Sequence, residues 1–198
     1  MDERRYPKAA EYLRRLPNGL DSHRQCQIKG SILLSLLGST PVPFVQEGLP
    51  ATLVALLDNP PLPNQWVSEV AFNALVMAHE ERMEPGMLAE WILVRNRRLM
   101  RSPLYAVLFR LAGPERILLG AANRWRAFRR GTELRVVEQA RDAATVQIDF
   151  PARLYTASIV SNITRALGAA CEVAGARNLV AEVEALSELN ARCRVRWE

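Results

Sequence analysis

The stretch NRWRAFRRGTELRVVE, residues 123–138, places five arginines around a tryptophan and a phenylalanine. Guanidinium groups bind phosphates and carboxylates through paired N–H donors, so this segment is the first candidate for a binding surface. The candidate partner-binding residues are Arg124, Trp125, Arg126, Arg129 and Arg130. Three interpretations stay open: a phosphate-tracking nucleic-acid surface, a site for an acidic protein anchored by the tryptophan, and a solvated rim around a buried Trp125 and Phe128.

The remaining reactive side chains form no catalytic or metal-binding pattern. His79 lies in MAHEERME without HExxH spacing, and Ser158 lacks the G-x-S-x-G elbow of serine hydrolases. Three cysteines, Cys26, Cys171 and Cys193, form no CxxC pair and are expected to be buried apolar side chains. The chain also lacks a Walker A loop and a G-x-G-x-x-G motif. We therefore expect a non-enzymatic protein with no metal and no cofactor.

Composition and charge are those of a globular domain with a basic excess. Lysine and arginine number 26 against 21 acidic residues, a net charge of +5, and all the basic residues except Lys8 and Lys29 are arginine. That skew is typical of GC-rich coding as well as of phosphate binding. The opening MDERRYPKAAEYLRR has no apolar signal-peptide region, and runs such as ILLSLL are too short to cross a bilayer. We expect a soluble cytoplasmic protein.

Helical spacing of apolar residues dominates the chain up to Gly131. The pattern predicts a helix from an N-cap at Ser22 to about Leu37, closed by Gly38. Further helices are predicted over 65–82, 87–100, 103–111 and 113–130. The last of these carries the arginines, with Ile117, Leu118, Ala121, Trp125 and Phe128 on its apolar stripe.

After Gly131 the spacing of apolar residues drops to two, which is typical of half-buried strands. Two alternating segments, GTELRVVE and ATVQIDF, precede a helix that follows Pro151, and NLVAEVEAL and CRVRW come after it. Gly168 and Ala174 are small enough to let that helix approach a sheet closely. The outward positions are Glu133, Arg135, Gln147, Asp149, Glu182, Glu184, Arg192, Arg194 and Arg196, a charged face without the aromatics that stack bases.

These patterns predict an α+β fold within a single domain, residues 1–198. An N-terminal helical layer covers 1–112. A helix-strand-strand-helix-strand-strand part covers 113–198, forming a four-stranded antiparallel sheet with helices on one face.

The segments GPERILLGAANRWRAFRRGTELRV, IDFPARLYTASIVSNITRALGAACEVAGARNLVAEV and CRVRWE, with the early SHRQCQIKGSILLSLLG, resemble a domain of unknown function expanded as paralogues in myxobacteria. More remotely, the C-terminal part is similar to a ligand-binding superfamily. Its members include vinyl-reductase-type sensor domains, haem-nitric-oxide-binding domains and TRAPP subunits. The resemblance implies an α+β fold, dimerisation and an apolar cavity between sheet and helices.

The functional residues of these relatives do not carry over to this chain. Haem-binding relatives use a proximal histidine and a Tyr-x-Ser-x-Arg clamp, whereas YTASI supplies Tyr155 alone, and the histidines are His23 and His79. Metal-bearing sensors cluster cysteines near the end of the domain, where this chain has Cys193. The resemblance therefore supports the fold and not a haem or zinc site.

The sequence favours a regulatory or signalling module that binds a protein partner. This partner is acidic if the arginines of 124–130 form the binding surface. A homodimer is also expected. A small apolar ligand would gate the module, in a pocket lined by Leu134, Val136, Ile148, Phe150, Ile163 and Trp197. The alternative in which these residues pack solidly stays open. The competing function is a nucleic-acid-associated protein that uses the arginine-rich helices over 95–130.

Overall fold

The computed structural model describes residues 1–38, 42–100 and 113–198, so the predicted helix over 103–111 lies outside the described residues. The chain forms two compact units. The first contains Met1–Leu88 and Phe128–Gly131, and the second contains Ala89–Ala127 and Thr132–Glu198. Phe128–Gly131 therefore belong to the first unit although the residues on either side of them belong to the second.

The first unit combines helices with a small sheet. Its helices are α1 (Pro7–Arg15), α2 (Gly30–Leu37), α3 (Ala51–Asp58) and α4 (Glu69–Glu80), with a 3-10 turn at Gly19–Asp21. Its strands are β1 (Gln27–Lys29), β2 (Trp66–Ser68) and β3 (Arg129–Arg130). They form an antiparallel sheet in the order β2-β1-β3.

Two predicted helix starts in this unit are wrong. Strand β1 precedes α2 and strand β2 precedes α4, so neither helix extends back to Ser22 or Gln65. Ser22 is buried and its hydroxyl accepts a hydrogen bond from the Asn18 amide at 2.9 Å, while Ser68 caps α4 by accepting from the Ala71 amide at 3.2 Å. Strands of three residues are too short to show a two-residue alternation, so tertiary pairing decided these segments. Gly38 follows α2 as predicted.

The second unit contains the predicted four-stranded antiparallel sheet. Its strands are β4 (Glu133–Gln139), β5 (Ala143–Asp149), β6 (Val180–Leu186) and β7 (Asn190–Arg196), in the order β4-β5-β7-β6. Helix α8 (Ala157–Val173) lies between the two hairpins in sequence. Helix α5 (Met87–Met100), helical residues 113–119 (α6) and α7 (Ala121–Phe128) precede the sheet, and most of α5 and α7 belongs to this unit. None of the helices that the structure describes is long and apolar enough to cross a membrane.

Alternation along β5 and β7 builds the core of this unit. Val146, Ile148, Cys193 and Val195 are fully buried on the face that α8 covers. Gly168 permits the close approach of that helix, because a Cβ there would lie 3.0 Å from the Ala181 Cβ and the Leu179 Cδ2. The prediction of an apolar inner face under a small-residue helix is confirmed.

Candidate functional site

The arginine segment does not form one helical face. In the second unit, the Arg124 guanidinium donates a hydrogen bond to the Ile117 carbonyl, and burial lowers the pKa of Arg124. The Trp125 indole Nε1 donates to the Thr132 Oγ1 at 3.0 Å, which ties α7 to the start of the sheet. Arg126 is exposed. Two of these three side chains therefore make contacts within the chain.

Arg129 and Arg130 form strand β3 of the first unit, so the predicted helix ends earlier than Gly131. Arg129 makes an ion pair with Glu69, whose side chain is 0% exposed. The Arg130 guanidinium lies 3.9 Å from the centre of the Trp66 ring. Phe128 is 40% exposed, so the expectation of a buried Phe128 is wrong. Pairing of β3 with β1 overrides the helical spacing here.

The six predicted pocket residues lie in or beside the core of the second unit. Five of them are buried and Val136 is half-buried. The Phe150 ring packs at a tilt against Tyr155, with 4.7 Å between ring centres. As a ligand pocket the set stays a prediction.

The outer face of the four-stranded sheet is a ladder of opposite charges. Arg135 meets Asp149 at 2.5 Å, and further pairs follow on β7: Arg192–Glu138 at 3.7 Å, Arg194–Glu184 at 3.1 Å and Arg196–Glu182 at 2.8 Å. Exposed pairs of this kind stabilise a fold by less than about 1 kcal/mol each. These pairs matter more for the charge of the surface. Because each of these arginines already faces a carboxylate, the outer face presents little net positive charge to a phosphate.

A row of exposed aliphatic side chains follows strand β6 and the turn after it. Val180 is 45% exposed, Val183 36%, Leu186 40% and Leu189 58%. Nine large apolar side chains are exposed among the described residues, and these four fall within ten positions of the chain. In the register with β7, Val183 and Leu186 lie opposite the buried Cys193 and Ala191, whereas Val180 lies opposite Arg196. Exposed apolar side chains concentrated in one segment are typical of a surface that binds something. We call these four residues the β6 row.

The position of β6 at the edge of the sheet explains the row. No strand within the described ranges pairs with its outer side, and the register with β7 shifts between Val183 and Ala185. Such a bulge bends an edge strand and re-aims its side chains. The sequence motif NLVAEVEAL predicted a strand with a buried face. It contained no signal for which strands would lie at an edge, so sequence reasoning missed this surface.

His79 occupies a small pocket in the first unit. Its ring stacks on Phe44 with 4.0 Å between ring centres, and its side chain is almost fully buried. Burial, with a smaller contribution from the charge of Arg82, lowers the pKa of His79 from 6.5 to about 4. The pocket beside it also touches Tyr6 and Leu75 and holds about 10 Å³, roughly the space of one water.

This burial predicts a loss of stability in mild acid. The unfolded chain binds a proton on His79 near pH 6.5 while the folded chain resists protonation down to about pH 4. The contribution of His79 is therefore complete above pH 6.5 and falls as the pH drops. We expect the free energy of unfolding to decrease by about 2 kcal/mol between pH 7 and pH 5.

Urea unfolding at both pH values measures this decrease. His79→Gln should remove about 2 kcal/mol of the pH-dependent loss, while His23→Gln should retain it. An unchanged pH dependence in His79→Gln would contradict the prediction.

All three cysteines are buried, as expected. Burial raises the pKa of Cys26 to about 11 and that of Cys171 to about 12. It also raises the pKa of Cys193, whose sulfur accepts a hydrogen bond from the Thr164 hydroxyl at 3.0 Å. Thiols in this state are protonated at neutral pH, which does not suit a nucleophile or a metal ligand. No group of three or more potential metal-binding side chains occurs in the described part of the chain.

Solved structures of H-NOX domains share this fold. One, from work on haem distortion in the H-NOX family, aligns with a TM-score of 0.57 at 10% identity, covering 86% of this chain and 95% of that chain. A Tt H-NOX variant gives 0.55 at 11% identity, with coverage of 86% and 95%. An unliganded Fe(II) H-NOX mutant from K. algicida gives 0.50 at 9% identity, with coverage of 86% and 97%. At these identities the likeness establishes the α+β fold, and no curated protein matches the chain.

The histidines and cysteines of this chain do not suit the axial ligand of a haem. Haem iron needs an axial ligand such as histidine, thiolate, methionine or tyrosinate. Both histidines lie in the first unit, where Phe44 covers the His79 ring and the adjoining pocket is far too small for a porphyrin. The cysteines are buried thiols with raised pKa values.

Most of the second unit lies in the part of the chain that a family description covers. It contains the αββαββ order that the sequence predicted, with the β6 row at one edge of its sheet. Residues 101–198 match the model of the family described as Protein of unknown function (DUF2378).

Proposed function

We propose that this chain is a non-enzymatic regulatory module that binds a partner protein through the β6 row. The observation that carries the proposal is the concentration of exposed valine and leucine side chains on one edge strand and the turn after it. Edge strands also present unpaired backbone groups, which allow an extended segment of another protein to add to the sheet. Apolar anchors at such an edge supply the binding energy when a partner covers them.

Apolar contact fits the surface better than recognition of an acidic partner. Arg124 contacts the Ile117 carbonyl and Arg129 pairs with Glu69 inside the first unit. The arginines of β7 already meet carboxylates on the outer face of the sheet. A partner that covers the β6 row therefore needs apolar side chains more than a surplus of acidic ones.

A nucleic-acid surface over residues 95–130 has weaker support. Arg97 pairs with Glu172, and Arg124 and Arg129 make contacts within the chain, which leaves Arg116, Arg126 and Arg130 as exposed cations among the described arginines of this range that are not already named in such contacts. Phosphate binding requires several such cations that can release counterions. No specific observation on the described residues favours this function.

The proposed module works in the cytoplasm and is gated by a small apolar ligand among the six pocket residues. The H-NOX-like fold supports gating, because structures of that fold include proteins named for their haem. A ligand that shifts the packing of α8 against β6 and β7 would alter the edge of the same sheet.

The test is co-purification from the native host with two matched variants. Val183→Lys with Leu189→Lys places two charges in the β6 row, while Val137→Lys places one on the opposite edge, where Val137 is 38% exposed. We expect the partner to be lost with the first variant and retained with the second, with both proteins folded by circular dichroism. Equal retention, or recovery of a second copy of this chain as the only binder, would overturn the proposal.

A further inference from the structure

Arg95 on α5 is a half-buried cation with an incompletely used guanidinium. Its guanidinium carbon lies 5.1 Å from the centre of the Trp91 ring, one helical turn earlier. One of its Nη groups donates to the Asn96 Oδ1 at 3.3 Å, and Asn96 is buried. The Arg95 Nε is enclosed by the protein and has no hydrogen-bond partner.

The neighbouring arginine shows what Arg95 lacks. Two positions along α5, Arg97 donates from Nε and Nη2 to the two carboxylate oxygens of Glu172, at 2.5 and 2.7 Å. No carboxylate in the described ranges lies within ion-pairing distance of Arg95, and the stretches 39–41 and 101–112 contain no aspartate or glutamate. Burial accordingly lowers the pKa of Arg95 to about 10.

A half-buried charge without a counter-charge is costly, because the folded chain must desolvate it without recovering an ionic hydrogen bond. A guanidinium meets carboxylate and phosphate oxygens with two parallel N–H donors, which is the bond missing here. The Arg95 guanidinium lies over the Trp91 ring, and an oxyanion binds a guanidinium in the plane of that group. The indole would then pack against the apolar body of the same ligand.

We propose that Arg95, with Trp91 and Asn96, forms a binding site for the oxyanion group of a small ligand. The ligand carries a carboxylate or a phosphate, which the remaining N–H groups of the two Arg95 Nη atoms bind together, because the Nε is enclosed by the protein. The Asn96 Oδ1 accepts a hydrogen bond from the same guanidinium. This site lies within α5 and is independent of the β6 row, so it stands whether or not the partner proposal does.

Thermal unfolding of the full chain tests this site with two probes. Sodium octanoate supplies an apolar carboxylate and inorganic phosphate supplies the other oxyanion, each compared with chloride at equal ionic strength. We expect one probe to raise the unfolding temperature saturably, and which one does so identifies the ligand class. Failure of both probes overturns the proposal.

Three variants separate binding from structure. Arg95→Met should abolish the shift, Arg95→Lys should weaken binding by about tenfold because it loses the planar fork, and Arg126→Met on exposed α7 should retain the shift. Without ligand, Arg95→Met should be at least as stable as the natural sequence, because it removes an uncompensated charge. A shift that persists in Arg95→Met, or an Arg95→Met protein that is destabilised or unfolded without ligand, overturns the proposal.

Discussion

Arg129→Met is expected to lower the free energy of unfolding by about 3–5 kcal/mol. The substitution removes the guanidinium that faces Glu69, whose carboxylate is completely buried at the start of α4. A buried carboxylate that loses its ionic partner retains the full cost of leaving water. The pair also joins β3 to α4 within the first unit, so its loss affects two elements. Urea unfolding followed by circular dichroism measures the change.

The adjacent residue of β3 provides the control for this prediction. Arg130 is exposed and contacts the Trp66 ring, so Arg130→Met should cost no more than about 1 kcal/mol. Glu69→Gln combined with Arg129→Met should lose less than the sum of the two single variants, because the two residues interact directly. A loss in Arg129→Met no larger than that in Arg130→Met would show that the pair does not stabilise this unit.

Gly131→Ala is expected to cost about 3 kcal/mol or more. Gly131 has a φ of +74°, and a Cβ built there would lie 2.6 Å from the Gln25 carbonyl oxygen and 2.8 Å from the Cys26 sulfur. The positive φ strains any residue with a Cβ, and the short distances add a steric clash. The backbone of Gln25 cannot move aside without disturbing β1. Gly131 directly follows β3 and ends the segment Phe128–Gly131, which belongs to the first unit. A shift of its backbone therefore also alters the pairing of β3 with β1.

Gly86→Ala separates these two costs. Gly86 has a φ of +85° but nothing lies within 4 Å of a Cβ placed on it, so this variant should lose only about 1–2 kcal/mol. The difference between the two variants measures the steric part. Equal losses would mean that the contact with Gln25 does not restrict this position.

The C-terminal sheet was predictable because its alternation is long enough to show in sequence. Leu134, Ile148, Cys193 and Val195 recur at every second position and are buried where the pattern placed them. The outward charges likewise lie where expected and pair across strands. Seven-residue strands with one apolar face can therefore be assigned from the sequence alone.

The three-stranded sheet was not predictable, because its strands are two or three residues long. Ile28 is fully buried in β1 and also fits a helical stripe, so local spacing favours the wrong element. Arg129 provides a second example: it follows a helical run, yet pairing with β1 and the Glu69 carboxylate fix it as a strand residue. Long-range partners decide such segments, and a single sequence does not name them.

Long-range contacts also limited what the sequence could predict about binding sites. The arginines of 124–130 were conspicuous in sequence, but contacts to Ile117, Glu69 and Trp66 account for three of them. The β6 row and Arg95 were ordinary in sequence and became candidates through an edge position and a missing carboxylate. The exposure of the side chains identifies the β6 row, and the missing carboxylate identifies Arg95. Residue type alone identifies neither.

The most direct test of the β6 row as a docking surface is photo-crosslinking in the native host. A photoreactive phenylalanine analogue replaces Val183 on β6 in one protein and Val137 on β4 in another, both being exposed edge positions. We predict a discrete adduct with a different protein from position 183 and none from position 137. No adduct from position 183, or the same adduct from both positions, would contradict the assignment of the β6 row as the partner-binding surface.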